Sequence, residues 1–124
     1  MKIKLTSVYV DDQEKALRSY TEVLGFVKKR EMPGRWMTVV SPEEPNGSEL
    51  LLEPIGAAPA KTFQQALRKA GIPLTQFAVG NVQKTYERMT NLGVKFQGGP
   101  TQIGPTTLAV FDDTCGNLIQ LIQK

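Results

Sequence analysis

The chain has 124 residues, 40% of them hydrophobic, enough for a real core without disulfides or a structural metal. Fifteen Lys and Arg against twelve Asp and Glu give a net charge of +3, but the basic residues stand singly or in short pairs such as Lys28 and Lys29, too thin a footprint for nucleic acid. Cys115 is the only cysteine, which excludes an intrachain disulfide and fits a reducing, cytoplasmic setting.

The N-terminal MKIKLTSVYV alternates polar and apolar residues, so 3–10 reads as a strand and not as a signal peptide; no later segment is apolar enough to span a membrane. Asp11 or Asp12 can cap the following helix, in which Ala16, Leu17, Tyr20, Val23 and Leu24 recur at helical spacing until Gly25. Met32-Pro33-Gly34 is a turn before a strand at 36–40. SPEEPNGS (41–48) is a proline-broken connection to a strand at 49–53, which Pro54 stops. Residues 55–73 form a linker with one short helix at about 62–70. Then come a strand at 74–79, a helix at 82–92, a short strand near 94–97, a strand at 106–111, the turn DDTCGN and a strand at 117–123.

The chain thus says nearly the same thing twice. VDDQEKALRSYTEVLG (10–25) and VGNVQKTYERMTNLG (79–93) each read as strand end, polar turn, amphipathic helix and Leu-Gly stop, and two apolar strands follow each. The fold class is α+β, a tandem of two βαβββ modules at about 1–55 and 72–124. A repeat of this size predicts that neither half covers its own sheet alone, so the copies associate in one domain over 1–124 and function lies where they meet.

This arrangement resembles the vicinal oxygen chelate superfamily of glyoxalase I, bleomycin-resistance proteins and extradiol dioxygenases. VDDQEKALRSYTEVLGF (10–26) matches the family's V-x-D-x-x-x-x-x-x-F/Y-Y-x-x-x-L-G-F, with Ser19 where an aromatic is common. FDDTCGNLIQLIQ (111–123) matches D-P-D-G-N-x-I-E-L, with Thr114-Cys115 in place of Pro-Asp. The resemblance implies that each module is a half-open barrel, that two modules enclose a cavity between concave sheet faces, and that a homodimer forms.

Enzymes of the superfamily hold a divalent metal at four strand positions. By the same resemblance these fall on Leu5, Leu51, Leu74 and Gln120, with Leu51 placed by matching Gly47 to Gly116. The chain has no histidine, and three leucines with a glutamine cannot hold zinc, nickel or iron. No metal and no cofactor are expected, and an enzyme is disfavoured.

Placing Leu5 and Gln120 inward puts Ser7, Tyr9, Trp36, Thr38, Glu49, Leu51, Glu53, Gln76, Thr107, Phe111 and Ile122 on the same faces by strand alternation. The opposite set, including Val8, Val10, Met37, Val39, Leu50, Leu52, Phe77, Val79, Leu108, Val110, Ile119 and Leu121, is apolar and suits packing under helices. The mixed inward set suits a solvated pocket better than a sealed core. Its candidate ligand-binding residues are Tyr9, Trp36, Thr38, Glu53, Gln76, Phe111 and Gln120. Trp36 reads equally as a core or dimer-interface residue, and Glu53 as half of an ion pair. Glu49, at a strand start beside a loop, reads as a solvated carboxylate. Cys115 has no histidine to activate it and is not a nucleophile.

The expectation is a metal-independent protein that binds a small molecule, sequestering a cationic or aromatic compound such as an antibiotic, with no nucleic-acid or membrane partner. The alternative is a lyase, isomerase or dioxygenase-like enzyme of the same superfamily with an atypical site.

Overall fold

Asp12 and Asn81 open the two repeated helices in the same way. Each has extended backbone, and its side-chain oxygen accepts from the amide three residues on, Lys15 N at 3.0 Å and Lys84 N at 2.9 Å. Such caps satisfy a helix donor that has no intrahelical partner and stabilise by about 1 kcal/mol each. The computed structural model describes residues 1–32 and 35–124, so the turn expected at Met32-Pro33-Gly34 lies, at Pro33 and Gly34, outside the described residues. The chain forms two compact units, Met1–Phe63 and Gln64–Lys124.

The first unit runs β1 (Leu5–Val10), α1 (Gln13–Arg18), a π-helical turn (Ser19–Val23), β2 (Val27–Met32), β3 (Trp36–Val40) and β4 (Glu49–Pro54). Its sheet has the order β1-β4-β3-β2, parallel between β1 and β4 and antiparallel elsewhere. Val8, Val10, Met37, Val39, Leu50 and Leu52 are all buried, as are Ala16 and Tyr20 of the helical segment. Burial of each large apolar side chain contributes about 1.5–3 kcal/mol. Gln13 fixes the helix to the sheet by donating to Leu52 O at 2.9 Å. Strand β2, with the sequence VKKREM, is exposed throughout and carries a bulge between Lys28 and Arg30. Charges and a bulge are what protect an edge strand from pairing with other chains.

Helix α2 (Ala58–Ala70) crosses from the first unit's residues into the second's and is longer than the expected 62–70. Pro59 is tolerated because it falls in the first turn, where a missing amide hydrogen costs nothing. The second unit continues with β5 (Thr75–Val79), α3 (Val82–Asn91), β6 (Thr101–Ile103), β7 (Thr106–Asp112) and β8 (Leu118–Gln123), in the sheet order β5-β8-β7-β6 with β5 parallel to β8. The expected strand near 94–97 is reduced to a single bridge between Phe96 and Phe111. The paired strand begins after Gly98-Gly99-Pro100, where Gly98 has a φ of 127°. Gly104-Pro105 closes the β6–β7 hairpin, with Gly104 at φ 60° in the first central position, the conformation that a type II′ turn requires.

Each unit is a βαβββ module, and the class is α+β. Neither sheet closes on itself: β1 and β2 edge the first, β5 and β6 the second. Among the described residues no helix is long and apolar enough to cross a membrane.

The β7–β8 register corrects one face. Val110 pairs with Gln120 and Phe111 with Ile119, so Leu108 and Val110 share the face of Gln120 while Phe111 and Thr107 belong to the opposite one. Phe111 is fully buried there, its ring 5.8 Å from that of Phe96, which stands 4.8 Å from Tyr86 of α3. It packs in the core of its unit, on the face opposite Gln120 and not on the same face as expected.

Candidate functional site

On the open face of the first unit, the parallel register sets Leu5 beside Glu49, Ser7 beside Leu51 and Tyr9 beside Glu53. Glu49 is 2% exposed, which corrects its reading as a solvated carboxylate. A buried carboxylate needs partners. Thr38 Oγ1 donates to its Oε1 at 2.8 Å, Arg30 Nε lies 3.0 Å from the same oxygen, and Lys4 Nζ is 3.3 Å from Oε2. The Thr38 hydroxyl bond, with help from Lys4 and Arg30, outweighs burial and holds the Glu49 carboxyl below its ordinary value near 4.5.

Glu49, Arg30 and Lys4 border a recess of about 440 Å³ whose walls also include Leu5, Glu31, Met32 and Trp36. Trp36 is 46% exposed and pairs with Met32 at the end of β3, so an indole and a thioether stand at the open side. Leu5 adds aliphatic surface. The arrangement is an apolar wall with one ion-paired cluster, suited to a flat organic molecule with a polar end.

The expected residues divide between the units. Tyr9, Trp36, Thr38 and Glu53 belong to the first; Gln76, Phe111 and Gln120 belong to the second. Thr38 is fully buried and its hydroxyl is engaged by Glu49, so it supports the charged cluster. Tyr9 and Glu53 are ladder partners on the same face as Leu5 but outside the recess. Gln76 and Gln120 are also ladder partners, and Gln76 Nε2 donates to Gln120 Oε1 at 2.6 Å. Gln120 borders a separate, smaller hollow of about 240 Å³ in the second unit, with Val110, Leu108 and Thr101.

Lys4 and Arg30 are site residues that sequence reasoning missed. A signal existed for Arg30, two residues before Met32 in a segment of β-strand length, but VKKREM has no apolar alternation to mark it as a strand.

The turn before β8 is built from the residues that match the family motif. Asp113 Oδ1 accepts from Cys115 N at 2.8 Å and Asn117 N at 3.0 Å, while Asn117 Nδ2 donates to Asp113 Oδ2 at 2.8 Å. Gln64 of α2 adds a donor to Asn117 Oδ1 at 3.0 Å. Arg68 pairs with Asp112 nearby; burial tends to raise the Asp112 carboxyl, but the Arg68 and Thr114 amide bonds hold it below its ordinary value. This network positions β8 and engages the acids of the turn in structure.

A divalent metal does not fit the positions the resemblance assigns to it. Leu5, Leu51 and Leu74 offer no donor, and Gln120 offers one neutral amide already bonded to Gln76. Glu49, the buried carboxylate beside Leu5, already faces two cationic side chains that would repel a metal ion. Among the described residues no three His, Cys, Asp or Glu side chains group as a metal site.

The family model for the Glyoxalase/Bleomycin resistance protein/Dioxygenase superfamily matches residues 2–121. The chain is 51% identical over 127 residues to YurT of Bacillus subtilis (strain 168), covering all of both proteins. Among solved structures, that of UcmS2 is similar at a TM-score of 0.84 and 32% identity, over 98% of this chain and 97% of UcmS2. TnmS3, an antibiotic binding protein from Streptomyces sp. CB03234, is similar at a TM-score of 0.77 and 28% identity, over 99% of this chain and 95% of TnmS3.

Proposed function

The chain belongs to the Glyoxalase/Bleomycin resistance protein/Dioxygenase superfamily, and from that premise we propose that it binds a small, flat aromatic compound without a metal, sequestering it as an antibiotic-binding member does. The observation that carries this reading is the Trp36 recess: a half-exposed indole in a recess that Leu5, the position the resemblance assigns to a metal ligand, also lines. An indole left open beside aliphatic surface gains most when a planar apolar molecule covers it. The likeness to TnmS3 supports an antibiotic as the kind of compound. The reading includes a cytoplasmic setting, for which the single buried cysteine speaks, and a homodimer, for which the sheet edges β1, β5 and β6 speak.

The test is thermal unfolding in excess chelator against a panel of planar aromatic antibiotics. A binder at one hundred times its Kd adds about 2.7 kcal/mol, a rise of several degrees in Tm for a chain of this size. At least one compound should do this, and Trp36→Ala should lose the rise. A panel with no effect, or one that acts equally on Trp36→Ala, contradicts the proposal.

A further inference from the structure

We infer that the Trp36 recess selects aromatic compounds bearing an acidic group, a carboxylate or phenolate, and disfavours cationic ones; this rests on the reading of the recess as a ligand site. Lys4 and Arg30 bring two positive charges to its walls, against the buried carboxylate of Glu49 and that of Glu31, which also lines the recess. Glu31 does not restore the balance. Its ladder partner is Met37, on the side of the sheet opposite Arg30 and Met32, and its carboxylate is held by Lys28 at 2.6 Å. Glu53, the other acid on this face, is ladder partner to Tyr9 and lies outside the recess. One positive charge is therefore in surplus.

The geometry says where that surplus is offered. Arg30 meets Glu49 through Nε, which leaves the guanidinium's terminal nitrogens to donate outward. The arginine side chain is 57% exposed, yet its root is fixed by the Thr38 ladder position and its Nε by a buried acceptor. Glu49 thus orients Arg30 as a reader of an acceptor group, with Lys4 on the other side of the same carboxylate. An anionic oxygen at the polar end of a ring stacked on Trp36 would meet this fork. An ammonium in the same place would meet like charge, with both nearby carboxylates already engaged, Glu49 by three partners and Glu31 by Lys28.

The test is calorimetric titration at low salt with three ring-matched compounds, anthracene-9-carboxylate, 9-anthracenemethanol and 9-anthracenylmethylammonium. The carboxylate should bind about tenfold tighter than the ammonium, with the alcohol between, and added salt should narrow the gap. Arg30→Gln should bring the three affinities together, and Lys4→Gln, at a more exposed side chain, should narrow the gap without loss of fold. Trp36→Ala should weaken all three alike. Equal affinities in the native protein, or tightest binding of the ammonium, overturns the charge preference while leaving aromatic binding intact. Binding of none of them, or binding untouched by Trp36→Ala, contradicts the ligand-site reading and the charge preference with it.

Discussion

Leu5 and Glu49 stand side by side in the parallel β1–β4 ladder, an aliphatic side chain next to a buried carboxylate that is bonded to Thr38, Arg30 and Lys4. The pair divides the recess into an apolar wall and a charged cluster. The carboxylate beside Leu5, the position the resemblance assigns to a first metal ligand, is thereby engaged by the Arg30 and Lys4 side chains.

The first prediction concerns metal. Protein purified from metal-supplemented culture should carry well under one equivalent of zinc, nickel, iron or manganese, and chelators should leave its Tm unchanged. Elemental analysis that finds one equivalent per chain would refute the donor-set argument.

Glu49 should make the protein acid-sensitive. Its folded pKa is depressed, so the stability it supplies is complete above its ordinary value near 4.5 and is lost as pH falls through the lower folded value. Glu49→Gln should cost about 1–2 kcal/mol at pH 7, and the difference from the native protein should shrink on acidification. Urea unfolding at neutral and acid pH measures this; a difference constant with pH would show that the ionised carboxylate is not what matters.

Phe111→Ala should destabilise by about 3–5 kcal/mol, as removal of a fully buried aromatic does. In folded protein well below its Tm, affinity for an aromatic ligand should stay within about twofold, since Phe111 lies on the helix side of its sheet. A mild stability effect with lost binding would restore it to the ligand face.

Gly116→Ala tests the turn before β8. Gly116 has a φ of 105°, and a Cβ there would stand 2.7 Å from Nε2 of Gln64, so both backbone and space resist a side chain. A loss of about 2 kcal/mol or more is expected from chemical denaturation. A neutral substitution would mean that the Gln64–Asn117–Asp113 network is slack.

The parts of this fold visible in the sequence are those with one strong period. The helices show apolar spacing and Asx caps, and the strands of the first unit that pack under α1 bury one face cleanly, as Val8, Val10, Leu50 and Leu52 do. Strand β7 hides its register because TTLAVFD is apolar on both sides: Val110 and Leu108 look out, Ala109 and Phe111 look in. With no polar face to mark register, a one-residue slip inverts every assignment. Strand β2 was invisible because an exposed edge has no apolar requirement. Glu49 shows a different limit. Its ion-pair partner Arg30 reaches it only through the β2–β3–β4 pairing, a long-range fact that local sequence does not carry.

Assembly follows from the sheet edges. A homodimer is expected, with β1 of the first sheet, or β5 or β6 of the second, covered in solution, since the charged and bulged β2 resists pairing. Light scattering that gives a monomer mass over a wide concentration range would contradict it.

The central claim, that the Trp36 recess receives an aromatic ligand without metal, is tested most directly by the indole N–H resonance of Trp36, the chain's only tryptophan. In a nitrogen-15 correlation spectrum recorded in chelator, a stabilising aromatic ligand should shift that resonance, together with the backbone amides of Leu5 and Glu49, along a single saturable curve. A ligand that binds while the Trp36 resonance stays fixed and the changes fall on other residues would contradict the account.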